Sequence, residues 1–112
     1  MVQIHTCQTG DTRIALSVTC LRPDRSVVDL DGLTLYFEMY NISSGSTKVA
    51  KTSDNVLVTD AGGGVVQYTF QDADVDTEGT FFAYFIAESA GEDAETFPAE
   101  TGDLQVKIRA EV

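Results

Sequence analysis

Basic charge is scarce. Seven Lys and Arg stand against eighteen Asp and Glu, for a formal net charge of -11. A surface of that sign repels nucleic-acid phosphates and anionic membranes, which excludes both as expected partners. Histidine occurs once and cysteine twice, so no Ser-His-Asp or Cys-His arrangement can be assembled. His5 and Cys7 lie too close along one strand to be a nucleophile and its base. Long apolar runs are missing as well. None approaches the roughly 18 residues that span a bilayer, and the opening MVQIHTCQTG has neither the basic nor the apolar region of an export signal. The expectation is a soluble protein made in a cytoplasm, where Cys7 and Cys20 remain thiols. If Thr9 to Thr12 (TGDT) turns a hairpin, Cys7 lies opposite Ile14 and Cys20 near Met1, too far apart to bridge. Helical periodicity is absent too, with no capped stripe of useful length.

What is present is alternation with period two. At 112 residues and 43% hydrophobic, the chain can bury one core and is too short for two ordinary domains, so residues 1–112 are expected to form a single domain. Candidate strands are Val2 to Gln8, Arg13 to Cys20, Leu33 to Tyr40, a weaker Lys48 to Thr52, Val56 to Thr59, Val65 to Phe70, Thr80 to Glu88 and Leu104 to Arg109. Turn clusters separate them at the spacing of about 8–12 residues expected of a β-sandwich. Leu33, Leu35, Phe37 and Met39 share an inward face. So do Ile14, Leu16, Val18 and Cys20, and Leu104, Val106 and Ile108.

Four segments in order, GDTRIALSVT, VVDLDGLTLYFEM, GVVQYTFQDADVDTEGTF and ETFPAETGDLQVKI, resemble one family. It is the immunoglobulin-like domain at the N-terminus of the baseplate upper protein of tailed bacteriophages, which also occurs as small stand-alone virion proteins. The matching positions are Gly10, Asp11 and Thr12; Asp29, Leu30 and Gly32; Gly79, Thr80 and Phe81; and Thr96, Phe97 and Pro98. The resemblance implies an all-β, immunoglobulin-like antiparallel β-sandwich of about seven to eight strands. It further implies a non-enzymatic structural role in the virion, assembled in the host cytoplasm. Other virion proteins of tail, baseplate or head would be the partners, with several copies in a symmetric assembly and no cofactor. Where the family commonly has Tyr this chain has Phe81, and Ala83 stands where immunoglobulin domains place the second core cysteine. Neither a tyrosine corner nor an inter-sheet disulfide is therefore expected.

Three features invite a site. Asp72, Asp74 and Asp76 open like a calcium loop, but an EF-hand needs Gly at its sixth position and Glu at its twelfth, and here those are Thr77 and Ala83. A turn whose Asp side chains accept backbone N–H bonds is the expected reading, with a loose calcium site on the three aspartates as the alternative. His5 and Cys7 share a strand face, yet a zinc site needs about four ligands and only Cys20 could join them. Gly62, Gly63 and Gly64 precede a strand rather than a helix and lack a following Lys-Ser/Thr, so they read as a hairpin turn, not a phosphate cradle. Catalytic residues are expected to be absent.

The strand Thr80 to Glu88 stands out. With Phe81, Ala83, Phe85 and Ala87 inward, Phe82, Tyr84 and Ile86 face outward, and pairing with Leu33 to Tyr40 adds Tyr36 and Tyr40. Such an aromatic patch is expected to be an interface, unless Met1 to Gln8 folds across it. Lys107 and Arg109 on the adjacent last strand would rim it. An alternative from another class is a small adhesion or carbohydrate-binding sandwich for a bacterial surface, using the tyrosines to stack on sugars.

Overall fold

Phe81, Ala83, Phe85 and Ala87 point inward from one long strand, and Leu35, Phe37 and Met39 from its neighbour, all at 5% exposure or less. This is the face the alternation predicts. The computed structural model describes residues 3–10, 15–22, 24, 26–91, 93–97 and 104–109. Its strands are β1 (Gln3–Gln8), β2 (Leu16–Thr19), β3 (Thr34–Asn41), β4 (Thr47–Thr52), β5 (Val56–Asp60), β6 (Val65–Tyr68), β7 (Gly79–Glu88), β8 (Ala94–Phe97) and β9 (Leu104–Arg109), with one 3-10 turn at Asp72–Asp74. The fold is all-β, in two sheets. A six-stranded sheet runs β1-β9-β7-β3-β4, with β8 also paired to β7, and a three-stranded sheet runs β2-β6-β5.

Between the sheets lies one apolar layer. Leu16, Val18, Val66 and Tyr68 come from the smaller sheet, and Phe37, Phe85, Leu104, Val106 and Ile108 from the larger. The Phe37 ring stacks on that of Tyr68, 4.0 Å between centroids, and sits 5.1 Å from Phe85. Each fully buried aromatic or branched side chain contributes about 1.5–3 kcal/mol of hydrophobic transfer. This layer is what holds the sheets face to face.

Three features depart from the alternation reading. First, β1 does not form a hairpin with β2. It runs parallel to β9, from Gln3 opposite Leu104 to Gln8 opposite Arg109, so the larger sheet is mixed rather than antiparallel. Gly10, at φ 86, donates its N–H to the Val75 carbonyl at 2.9 Å. The proposed neighbours Ile14 and Met1, like Arg13, Asp11, Thr12 and Pro98, lie outside the described residues. Second, β8 is a strand where the sequence reading placed none, between two turn clusters. Third, the acidic segment contains a helical turn rather than a simple strand connection.

The Gly62 to Gly64 run does close a hairpin, between the antiparallel β5 and β6. The Gly63 N–H reaches Asp60 Oδ1 at 3.0 Å. Gly64 has φ 70, and a Cβ there would stand 2.8 Å from the Val28 carbonyl oxygen. Only glycine fits that position without displacing backbone.

Candidate functional site

Alternation sends every second side chain of the large sheet to the outside, and the register says which of them meet. Phe82 of β7 is level with Tyr40 of β3, Tyr84 with Glu38, and Ile86 with Tyr36. On the other flank Phe82 is level with Gln105, and Gln105 with Ile4 of β1. Tyr36, Tyr40, Phe82 and Tyr84 are all half-buried. The Tyr40 and Tyr84 rings meet edge to face, 6.0 Å between centroids. Burial, and after it the hydrogen bond and charge of Glu38, push the Tyr40 hydroxyl pKa upward.

Ile86 behaves differently. Its exposure is 6%, because β8 places Thr96 against it on one side while Tyr36 flanks it on the other. The outward row therefore leaves Phe82 and Tyr84 half-exposed, and Ile86 is packed within the sheet. Ile4, by contrast, is 56% exposed and lies on the same face. Sequence reasoning left it out because the assumed hairpin put β1 elsewhere. Gln3–Gln8 does not fold across the aromatic face. It lies in the plane of the sheet and widens the face by one strand.

Charge frames the patch. Lys51 of β4 stands 4.7 Å from the Tyr36 ring centroid and pairs with Glu88, whose hydrogen bond chiefly raises the Lys51 pKa. Lys48 pairs with Asp76, and Arg22 with Glu95 at 3.2 Å. Lys107 and Arg109 are exposed on β9 and, among the described residues, enter no ion pair. They line a groove of about 590 Å³ together with Gln8, Glu78 and Thr80.

The aspartates do not converge. Asp74 is buried at 9% exposure, and its Oδ2 accepts the Tyr68 hydroxyl at 2.6 Å and the Gln71 N–H at 2.9 Å. Asp76 is held by Lys48 and Thr77, the Lys48 hydrogen bond being the main reason its pKa falls. Asp72 is exposed. No group of three or more His, Cys, Asp or Glu suited to a metal occurs among the described residues. The Asp74 carboxylate is thus an anchor between β6 and the turn. Its partner, Tyr68, was not visible from the spacing of the acids.

His5 and Cys7 both face inward from β1, level with Val106 and Ile108. The His5 ring stacks on Phe70 at 5.3 Å, and its Nε2 is buried without a hydrogen-bond partner. Burial lowers its pKa. No disulfide joins Cys7 to Cys20. Burial first, and then the charge of Glu95, push the Cys20 thiol up to about 12.

No protein-family model matches the chain, and no curated protein matches it. Among solved structures, the fold is similar to the N-terminal domain of phage TP901-1 ORF48. The TM-score is 0.60 over 98% of this chain and 86% of that one, at 18% sequence identity. At such identity the likeness is one of fold. The resemblance drawn from the sequence is matched in three dimensions: the chain has the fold of a phage protein's N-terminal domain.

Proposed function

We propose that this chain is an immunoglobulin-like, non-enzymatic structural component of a tailed-phage virion, acting in the tail, baseplate, fibre attachment or head decoration. It docks through the outer face of its large sheet. Tyr36, Tyr40, Phe82 and Tyr84 form the apolar centre, Ile86 supports them from within the sheet, and Lys107 and Arg109 form a rim for acidic groups of a neighbouring virion protein. The observation that carries this reading is the half-exposed aromatic row on the outer face of a fold similar to a phage protein domain. Interface cores are enriched in such residues and rims in charge. In a symmetric particle, assembled in the host cytoplasm, many copies of a modest contact hold by avidity.

Two variants test it. Phe82→Asp and Tyr84→Asp change half-exposed positions, so both proteins are expected to stay folded by circular dichroism yet to be missing from purified particles. Normal incorporation of both would remove the aromatic face from the assembly contact.

A further inference from the structure

Sheet edges are templates for further strands, and proteins usually blunt them with charge, proline, bulges or cover. Most edges here carry such a device. β4 bears Lys48 and Lys51. β5 ends on Asp60 beyond a register shift. β8 bears Glu95, paired with Arg22. β2 has only four residues, and Gln3 Nε2 donates to its Ser17 carbonyl at 3.0 Å. β1 is the exception: QIHTCQ has six residues, no Asp, Glu, Lys or Arg, and no proline or glycine.

Its orientation is fixed by one bond. The Thr9 N–H donates to the Arg109 carbonyl at 2.9 Å, so odd-numbered residues of this strand turn their backbone groups toward β9. By alternation the N–H and C=O of Ile4 and Thr6 point the other way, and no described strand pairs with that side of β1.

We propose that β1 is a self-association edge, which pairs antiparallel with β1 of a second copy about a twofold axis at His5. In that register Ile4 faces the partner's Thr6 and Thr6 the partner's Ile4, and each pair exchanges two N–H···O=C bonds. The two Ile4 side chains become diagonal neighbours about 7–8 Å apart on the outer face. The band from Tyr40 through Phe82 to Ile4 then continues into its symmetry mate. Charge favours this edge over any other for two copies that each carry -11. The strand itself is uncharged, and beside it lie Lys107 and Arg109. A partner with a basic surface would be drawn to the acidic remainder instead. The proposal does not rest on the virion reading, since it concerns an edge and not the aromatic face.

The test uses the purified chain. Sedimentation velocity is expected to show a concentration-dependent dimer that strengthens as added salt screens the net charge. Thr6→Pro deletes an outward N–H, and Ile4→Lys puts a charge on the edge. Both should weaken association at least about tenfold with an unchanged circular dichroism spectrum. Register is checked separately. Gln3 stands opposite the partner's Cys7, so Gln3→Cys treated with diamide should give a disulfide-linked dimer, and Gln3→Cys combined with Cys7→Ala should not. Phe82→Asp should leave that cross-link intact, which separates this contact from the face. A wild-type chain that stays monomeric at every concentration would overturn the proposal and hand the edge to a strand of another protein. So would a Gln3→Cys protein that does not cross-link, or an Ile4→Lys variant that dimerises like wild type.

Discussion

The Tyr68 hydroxyl donates a 2.6 Å hydrogen bond to the buried carboxylate of Asp74, tying the end of β6 to the turn that leads into β7. The bond fastens the first half of the passage from the small sheet to the large one. Phe81, near the start of the following strand, is itself buried at 1% exposure. Tyr68→Phe leaves a buried carboxylate oxygen with one partner fewer. Its expected cost is about 1–3 kcal/mol, read as a lower denaturant midpoint at constant slope. Asp74→Asn should cost a similar amount, and the double variant less than the sum.

Calcium should make no difference to stability. Asp74 is already committed to Tyr68 and Gln71, and Asp76 to Lys48, so two of the three aspartates face different partners and only the exposed Asp72 is left to a cation. Thermal midpoints with millimolar calcium and with chelator are expected to coincide. A rise with calcium that Asp72→Asn abolishes would show that the loop rearranges into a site.

Acidification should weaken the fold through His5. Its pKa lies below the ordinary histidine value of 6.5 because the ring is buried against Phe70. The unfolded chain therefore binds the proton first. Stability is full above about pH 6.5 and is lost as pH falls from there toward the lower folded pKa. His5→Phe removes both the titration and the orphaned Nε2. Its melting temperature is expected to be flat over that window, where the wild type falls.

Ile86 and Phe82 share one face of β7 but should respond unequally to truncation. Ile86→Ala removes packing between Tyr36 and Thr96 and is expected to cost about 2–4 kcal/mol. Phe82→Ala, at a half-exposed position, should cost clearly less and show its effect in particle incorporation instead. Equal losses at the two sites in a denaturant titration would mean that both are core.

Much of this molecule was legible in the alternation of its side chains. Period two assigned Phe37 and Met39, Phe81 and Phe85, and Val106 and Ile108 to the core, because the pleat sends every second residue to one face whatever lies beside it. The same pattern brought Tyr36, Tyr40, Phe82 and Tyr84 to the outer face.

Alternation names a face but not a neighbour, and the neighbours were decided only by tertiary structure. β1 had the pattern of either hairpin arm or edge, and its parallel pairing with β9 moved Ile4 onto the aromatic face. β8 is four residues long with a single buried side chain, Phe97, too little for a local signal, yet its pairing with β7 buried Ile86. The aspartates that drew attention as a series were sorted by different partners: the nearby Tyr68 took Asp74, and Lys48, 28 residues away in the chain, took Asp76. Strand pairing and side-chain hydrogen bonds join residues far apart in the chain, so the short windows in which a sequence reveals its periodicity do not contain them.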